Sequence, residues 1–457
     1  MKKILMLVLS FCFLSSFLCE AQEEERNIIR IFDEVVFYDG YRMTDNPDND
    51  LEDGVLRHSC SLYAKKLTDE QLDAIGESLD LNVTVAACCD NYDRIGNINI
   101  AFVEKGSESY VPETTPRIEI GRFITPFMDK NKNPKEVPYS YEMDYLSVIL
   151  RDKTLRSTYD LWLEFELFGI PYAANQQIAG CAGRSDVFAG TLEFSTCGTH
   201  IPTDGNILIP IVIKKPEYIG GNLNNYKEGA TDEIGKTVKT YTFELDEDIK
   251  DSYVVLITSN HGANENGEEY NRRWHYVYFD DELVLSYIPG RESCEPFRKY
   301  NTQSNGIYGR FSKSDSAWQS FSNWCPGDVI DNRIISLEAV EKGEHKIRIE
   351  VPEAIFANQE GDIPVSMYFH GSNNEGLNNI LSVYAEKEIP VKINSEKGIV
   401  RVEAIEEIWS IEIFTLKGER VHVQDTNTDI DMRGKTGFYV ICVELSDGRV
   451  YSSKIKL

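Results

Sequence analysis

Three of the places where this chain sets an acid close to an aromatic ring could do chemistry. Tyr92-Asp93-Arg94 lies between the strand-like runs Leu81 to Ala87 and Asn97 to Val103, Trp162 stands two residues before Glu164, and Glu269 adjoins Tyr270. Two carboxyl groups in unlike surroundings can share the roles of base and acid at neutral pH. Carboxylates take hydroxyl protons, and aromatic faces cover a sugar ring. Asp93, Glu164 and Glu269 beside Tyr92, Trp162 and Tyr270 therefore form a candidate set, provided that the units carrying them meet along an edge. Arg94 either lowers the pKa of Asp93 or holds a ligand, against the plainer reading of a surface ion pair. The plain reading of any one acid among 75 is a solvated surface charge.

Other chemistries find less support. The 7 histidines show no H-E-x-x-H or other metal spacing, so no metal site is expected. His275, after Trp274, reads as a strand histidine with its hydrogen bonds met. No G-x-S-x-G elbow and no P-loop occurs, and no organic cofactor is implied. Asn82-Val83-Thr84 has the form of a glycan acceptor and is read as accidental.

The positioning elements follow from composition. The 457 residues allow two to four domains, and a hydrophobic share of 42% is enough for packed cores. A net charge of -28 disfavours nucleic acid and anionic membranes as partners. Lys2 and Lys3, the apolar run Ile4 to Leu18 and the site before Gln22 read as a signal peptide over 1–21. No later run spans a bilayer, so an exported, extracellular or cell-surface protein without membrane insertion, and a monomer, is expected. Of the 10 cysteines, Cys12 and Cys19 fall in that segment, leaving eight for an oxidising compartment. Pairs Cys181–Cys197 and Cys294–Cys325 are expected, Cys60 is matched with Cys88 or Cys89, and Cys442 is read as a buried free thiol.

Short runs alternate between apolar and polar at Tyr241, Phe243 and Leu245 and at Ile347, Ile349 and Val351. Val254 to Ile257 and Tyr276 to Phe279 read as buried strands. Helical periodicity stands out only over Thr68 to Leu79. The fold class is all-β: two adjacent jelly-roll-like β-sandwiches, 27–215 and 236–387, and a small C-terminal β-sandwich, 388–457. Lys214 to Lys236, rich in Gly and Asn, is the linker between the first two.

Cys89-Asp90-Asn91-Tyr92-Asp93-Arg94 resembles the C-D-x-W-D-R signature of the peptide:N-glycosidase F family. Further matches follow in order: Gly121-Arg122-Phe123-Ile124-Thr125-Pro126, the strand acid Glu164, the Glu269, Tyr270 and His275 spacing after Ser259-Asn260-His261-Gly262, and Trp324-Cys325-Pro326-Gly327 preceded by Cys294. The resemblance spans 27–387. It implies an amidase that cuts the asparagine–GlcNAc bond of N-glycoproteins or glycopeptides, leaving Asp and a glycosylamine. Asp93 and Glu269 take the catalytic positions. Glu164, Arg94, Tyr92, Tyr270, Trp162, Arg122, His261 and Trp324 take those for substrate. The chain departs from the family at Glu166, where a tryptophan is usual, at Phe321, where an arginine is usual, at Gly267 and Asn271, which replace two cysteines, and at Thr84, which replaces another. Arg310 is a candidate replacement for the missing arginine. These departures leave open a non-catalytic glycan-binding protein on the same fold. Residues 388–457 are similar to a type A sorting domain of the type IX secretion system, whose machinery would then be a partner.

Overall fold

The computed structural model describes residues 26–41, 51–213, 235–262, 268–303, 314, 323–356, 361–373, 391–396, 398–404, 407–424, 429–446 and 450–457. The signal segment, Phe321, Arg310, Gly267 and most of the expected linker lie outside the described residues.

In the strand Ser78–Ala87 the residues Ser78, Asp80, Asn82 and Thr84 are polar, and Leu79, Leu81, Val83 and Val85 are buried in the core. A period of two puts those four on one face of a sheet. The strand is central in a four-stranded sheet with the order Asn27–Tyr38, Asp186–Cys197, Ser78–Ala87, Glu136–Glu142. Facing it is a six-stranded sheet whose inner strands are Arg117–Ile124, Ile95–Glu104, Tyr159–Leu167 and Leu62–Lys66. Leu161, Leu163, Phe165 and Leu167 join Phe37, Tyr63 and Phe123 in the core between the two sheets. The other face of Tyr159–Leu167 carries Asp160, Trp162, Glu164 and Glu166, and these are buried as well. An alternating strand that is buried on both sides must find partners for its acids.

The second sandwich stacks Asn206–Val212, Val365–Ser372, Asp251–Thr258 and Arg333–Ser336 against Val238–Leu245, Gly343–Glu350, His275–Phe279 and Glu282–Tyr287. Two strands cross the expected boundary. Asn206–Val212, before residue 215, pairs with Val365–Ser372 in the second sandwich. Val329–Ile330, from the second half, pairs with Val329↔Phe123 and Ile330↔Arg122 at the edge of the first. The sandwiches are thereby stitched by backbone hydrogen bonds in both directions. The third unit has sheets of three and four strands around Val400, Ile411, Ile413 and Ile441.

The helical periodicity over Thr68 to Leu79 resolves into a short helix, Asp69–Asp73, with a Thr68–Gln71 capping box. Gly76 then passes so close to Cys197 that a Cβ would lie 2.1 Å from its carbonyl oxygen. The chain turns there, and Leu79 is a strand residue. Three other short helices, Asp144–Leu150, Lys153–Thr158 and Tyr172–Gln177, gave no clear periodic signal.

The disulfides are Cys294–Cys325, as expected, and Cys89–Cys181. The second corrects both the Cys181–Cys197 pairing and the use of Cys89 with Cys60. Cys89 follows Ala87 and donates its N–H to Asp186 O, at the start of Asp186–Cys197. Cys181 approaches the same end. Cys197 closes the far end of that strand, roughly 35 Å away at strand rise. Cys88, Cys197 and Cys442 are free thiols, and Cys60 and Cys442 are buried.

Candidate active site

The loop 88–94 connects the two sheets of the first sandwich. Its backbone first follows the neighbouring strand, with Cys88 and Asp90 donating to Val187 O, and the Cys89–Cys181 bridge pins it. Asp90, 1% exposed, organises the rest. Its carboxylate accepts from the Tyr92 N–H at 3.0 Å, the Ile170 N–H at 2.8 Å and Arg94 Nε at 2.7 Å. Thr125 holds the other side: its Oγ1 accepts the Arg94 N–H at 2.8 Å and donates to Tyr92 O at 3.2 Å. Tyr92 and Arg94 are thus fixed on both flanks of Asp93, which is partly buried. The Tyr92 ring stays exposed, with the Arg94 guanidinium 5.5 Å from its centroid.

Glu269 reaches the same place from the second sandwich. It and Glu268 take opposite directions. Glu268 is buried, paired with Arg273 at 2.8 Å and accepting the Ile355 N–H at 2.9 Å. Glu269 accepts the Gly262 N–H at 2.8 Å and the Tyr270 hydroxyl. Gly262 has φ +107, and a Cβ on it would stand 2.3 Å from Gly361 Cα, so only glycine fits this crossing. Loss of water raises the Asp93 carboxyl to about 7, and the Glu269 charge adds to the rise while Arg94 opposes it. Burial also raises Glu269, against the Gly262 and Tyr270 hydrogen bonds. Two carboxyl groups with displaced proton affinities, one from each sandwich, meet at the seam between domains.

His261, next to the Gly262 whose N–H holds Glu269, packs on Trp324. Trp324 donates Nε1–H to Asn260 O at 2.8 Å and stacks on the His261 ring, and His261 Nε2 lies 2.7 Å from Ser259 Oγ. Both residues are buried.

Three expected substrate residues are sealed inside the protein. Arg122 is 0% exposed. Its guanidinium binds both oxygens of Glu119, at 2.8 and 2.9 Å, and donates to Ser259 Oγ at 2.9 Å and Pro364 O at 3.0 Å. It ties the sandwiches together and has no open face. Glu164 is also 0% exposed. It accepts from Arg117 Nε at 2.8 Å, Asn99 Nδ2 at 2.9 Å and the Tyr110 hydroxyl at 2.7 Å. Trp162 is buried in a small cluster with Ala64, Ala101 and Val103, with Tyr110 packed against it. The reason is common to Arg122 and Glu164: a second, polar face of a sheet that is covered consumes its charged side chains internally. Sequence reading passed over Asp90 and Thr125, although both lie inside the matched motifs. Two acids three residues apart, one beside an arginine at i+4, were the available signal.

The fold and seam define a protein of two joined β-sandwiches with a carboxyl pair between them. Residues 28–182 match the family model described as Peptide-N-glycosidase F, N terminal, and residues 225–370 match Peptide-N-glycosidase F, C terminal. The chain carries both domains of the peptide-N-glycosidase F family. Two crystal forms of PNGF-II are 20% identical, with TM-scores of 0.53 and 0.52, over 76% of this chain. The chain spans 66% and 65% of those structures' length, just under two thirds. PNGase F, titled a glycosylasparaginase from Flavobacterium meningosepticum, is 16% identical over 77% of this chain and 97% of its own, at a TM-score of 0.49. No curated protein matches the chain.

Proposed function

We propose that the chain hydrolyses the amide between asparagine and the first N-acetylglucosamine of N-glycoproteins or glycopeptides. The observation that carries this reading is the pair Asp93 and Glu269, with raised proton affinity, supplied by the two family domains. Asp93, deprotonated, takes a proton from water, directly or through a sugar hydroxyl, as the oxygen adds to the side-chain carbonyl carbon. The C–N bond of the tetrahedral adduct then breaks, the proton held by Asp93 passes to the departing nitrogen, and Glu269, with Tyr270, steadies that nitrogen. Aspartate and a glycosylamine result. Tyr92, exposed beside Asp93, offers a face to the first sugar. Arg94, engaged by Asp90, keeps the loop in shape rather than gripping substrate.

The test is incubation with a denatured N-glycoprotein, followed by assay of free glycan and of asparagine converted to aspartate. Release of neither by the folded protein would refute the reading. A glycan-binding role on the same fold is the second reading, and the departures from the family pattern at Glu166 and Phe321 favour it. Export fits the two disulfides. The third unit, on its resemblance to a sorting domain, would direct the protein through type IX secretion, and 388–457 remains its proposed extent.

A further inference from the structure

A cavity of about 510 Å³ lies away from Asp93, where all three units meet. Ser140 comes from the first sandwich, Tyr287 and Arg333 from the second, and Tyr451 and Ser452 from the third. The volume falls within the range of small-molecule sites. Arg333 is its unusual feature. The guanidinium stands 3.9 Å from the centroid of the Tyr287 ring, and Nη1 donates to Asp331 O at 3.1 Å. Among the described residues no carboxylate pairs with it, in a chain with 75 acids and 47 bases. The nearby acids are taken: Arg291 holds Asp328 at 2.9 Å and Asp331 at 2.8 Å. Glu142 on the rim is exposed, so water and salt screen its repulsion.

A stacked arginine is held in place before any ligand arrives and presents a planar fork suited to a carboxylate. The rest of the wall mixes hydroxyls, from Ser140, Tyr451 and Ser452, with apolar Leu285, Ile288, Ile334 and Val450. The buried ring of Tyr287 has Arg333 across one face and His275 stacked against it, and so cannot stack on an aromatic ligand. We propose that this cavity binds a carboxylate-bearing sugar, with the carboxylate on Arg333 and the ring hydroxyls among the serine and tyrosine hydroxyls. The site is separate from the seam of Asp93 and Glu269, and it does not depend on hydrolysis.

The experiment is ligand-observed NMR titration of the intact protein with D-glucuronate, D-glucose and acetate. Glucuronate should bind saturably, and glucose and acetate each at least about tenfold more weakly, since one lacks the charge-assisted pair and the other the hydroxyls. Arg333→Gln should lose at least about tenfold in glucuronate affinity. Ser452→Trp, which fills the cavity from the third unit, should abolish binding and serves where Arg333→Gln fails to fold. Equal binding of glucose and glucuronate would overturn the role of Arg333. Equal binding of acetate would overturn the sugar. No saturable glucuronate binding, or full binding by either folded variant, would overturn the site.

Discussion

Asp93 of the first sandwich stands close enough to Glu269 of the second for the glutamate's charge to raise its proton affinity, on top of the larger effect of burial. Neither domain alone creates this pairing. It depends on the exchanged strands and on the Arg122–Glu119 pair, which bonds onward to Ser259. Ser259 begins the turn whose Gly262 N–H holds Glu269.

Under the amidase reading, Asp93 must be ionised to accept a proton from water. The rate on a glycopeptide should rise with pH to a plateau, with a midpoint near the raised Asp93 value of about 7. A profile that falls across this region would assign Asp93 as the acid instead.

Asp93→Asn should lower the rate by about 10²-fold or more and leave glycopeptide binding much less changed. It should also change stability with a definite sign. Between the unfolded value of 3.8 and the folded value of about 7, the native protein keeps a proton that the unfolded chain gives up. Parental stability therefore falls as pH rises through that window. Thermal melts should show the variant gaining on the parent from pH 4 to pH 7, with the gain constant above. A variant that loses ground at pH 8 would contradict the buried-carboxyl account.

Glu164→Gln should act on folding rather than on substrate. It leaves Arg117 buried without its counter-charge, which costs about 3–5 kcal/mol in comparable pairs. Urea unfolding should reveal the loss, while the folded fraction retains its glycopeptide affinity. Weakened binding at unchanged stability would restore Glu164 to the sugar site.

Arg122→Ala should likewise cost about 3–5 kcal/mol, because Glu119 would remain buried and unpaired at the seam. Since Arg122 also donates to Ser259 Oγ and Pro364 O, limited proteolysis should become faster between the sandwiches. Unchanged unfolding and proteolysis would show that the seam is held by the strand exchange alone.

Peptide mapping without reduction should recover Cys89 joined to Cys181 and Cys294 joined to Cys325. With 92 residues between its ends, the first bridge should stabilise by about 4.5 kcal/mol through loop entropy, so Cys181→Ser should be markedly less stable. A Cys181–Cys197 peptide would overturn the placement of loop 88–94.

The sequence alone determined the local patterns and their order. Alternation at Leu79, Leu81, Val83 and Val85 marks a strand because side chains on a strand alternate faces, whatever surrounds it. The motif around Asp93 and the pair Cys294 and Cys325 were legible because their residues lie together or within a short loop. Tertiary structure decided which partners distant residues find. Glu164 and Arg122 read as site residues from their motifs, yet a covered second sheet face turned one toward Arg117 and the other toward Glu119. Cys181 lay nearer in sequence to Cys197 than to Cys89, but a twelve-residue strand carried Cys197 to the far end of the sheet. Adjacent Glu268 and Glu269 are equivalent as letters. Only the approach of Gly262 to Gly361 and the position of Arg273 sent one into an ion pair and the other toward Asp93. Burial and charge pairing depend on what packs on top of a residue, and that is a property of the assembled sandwiches rather than of any stretch of chain.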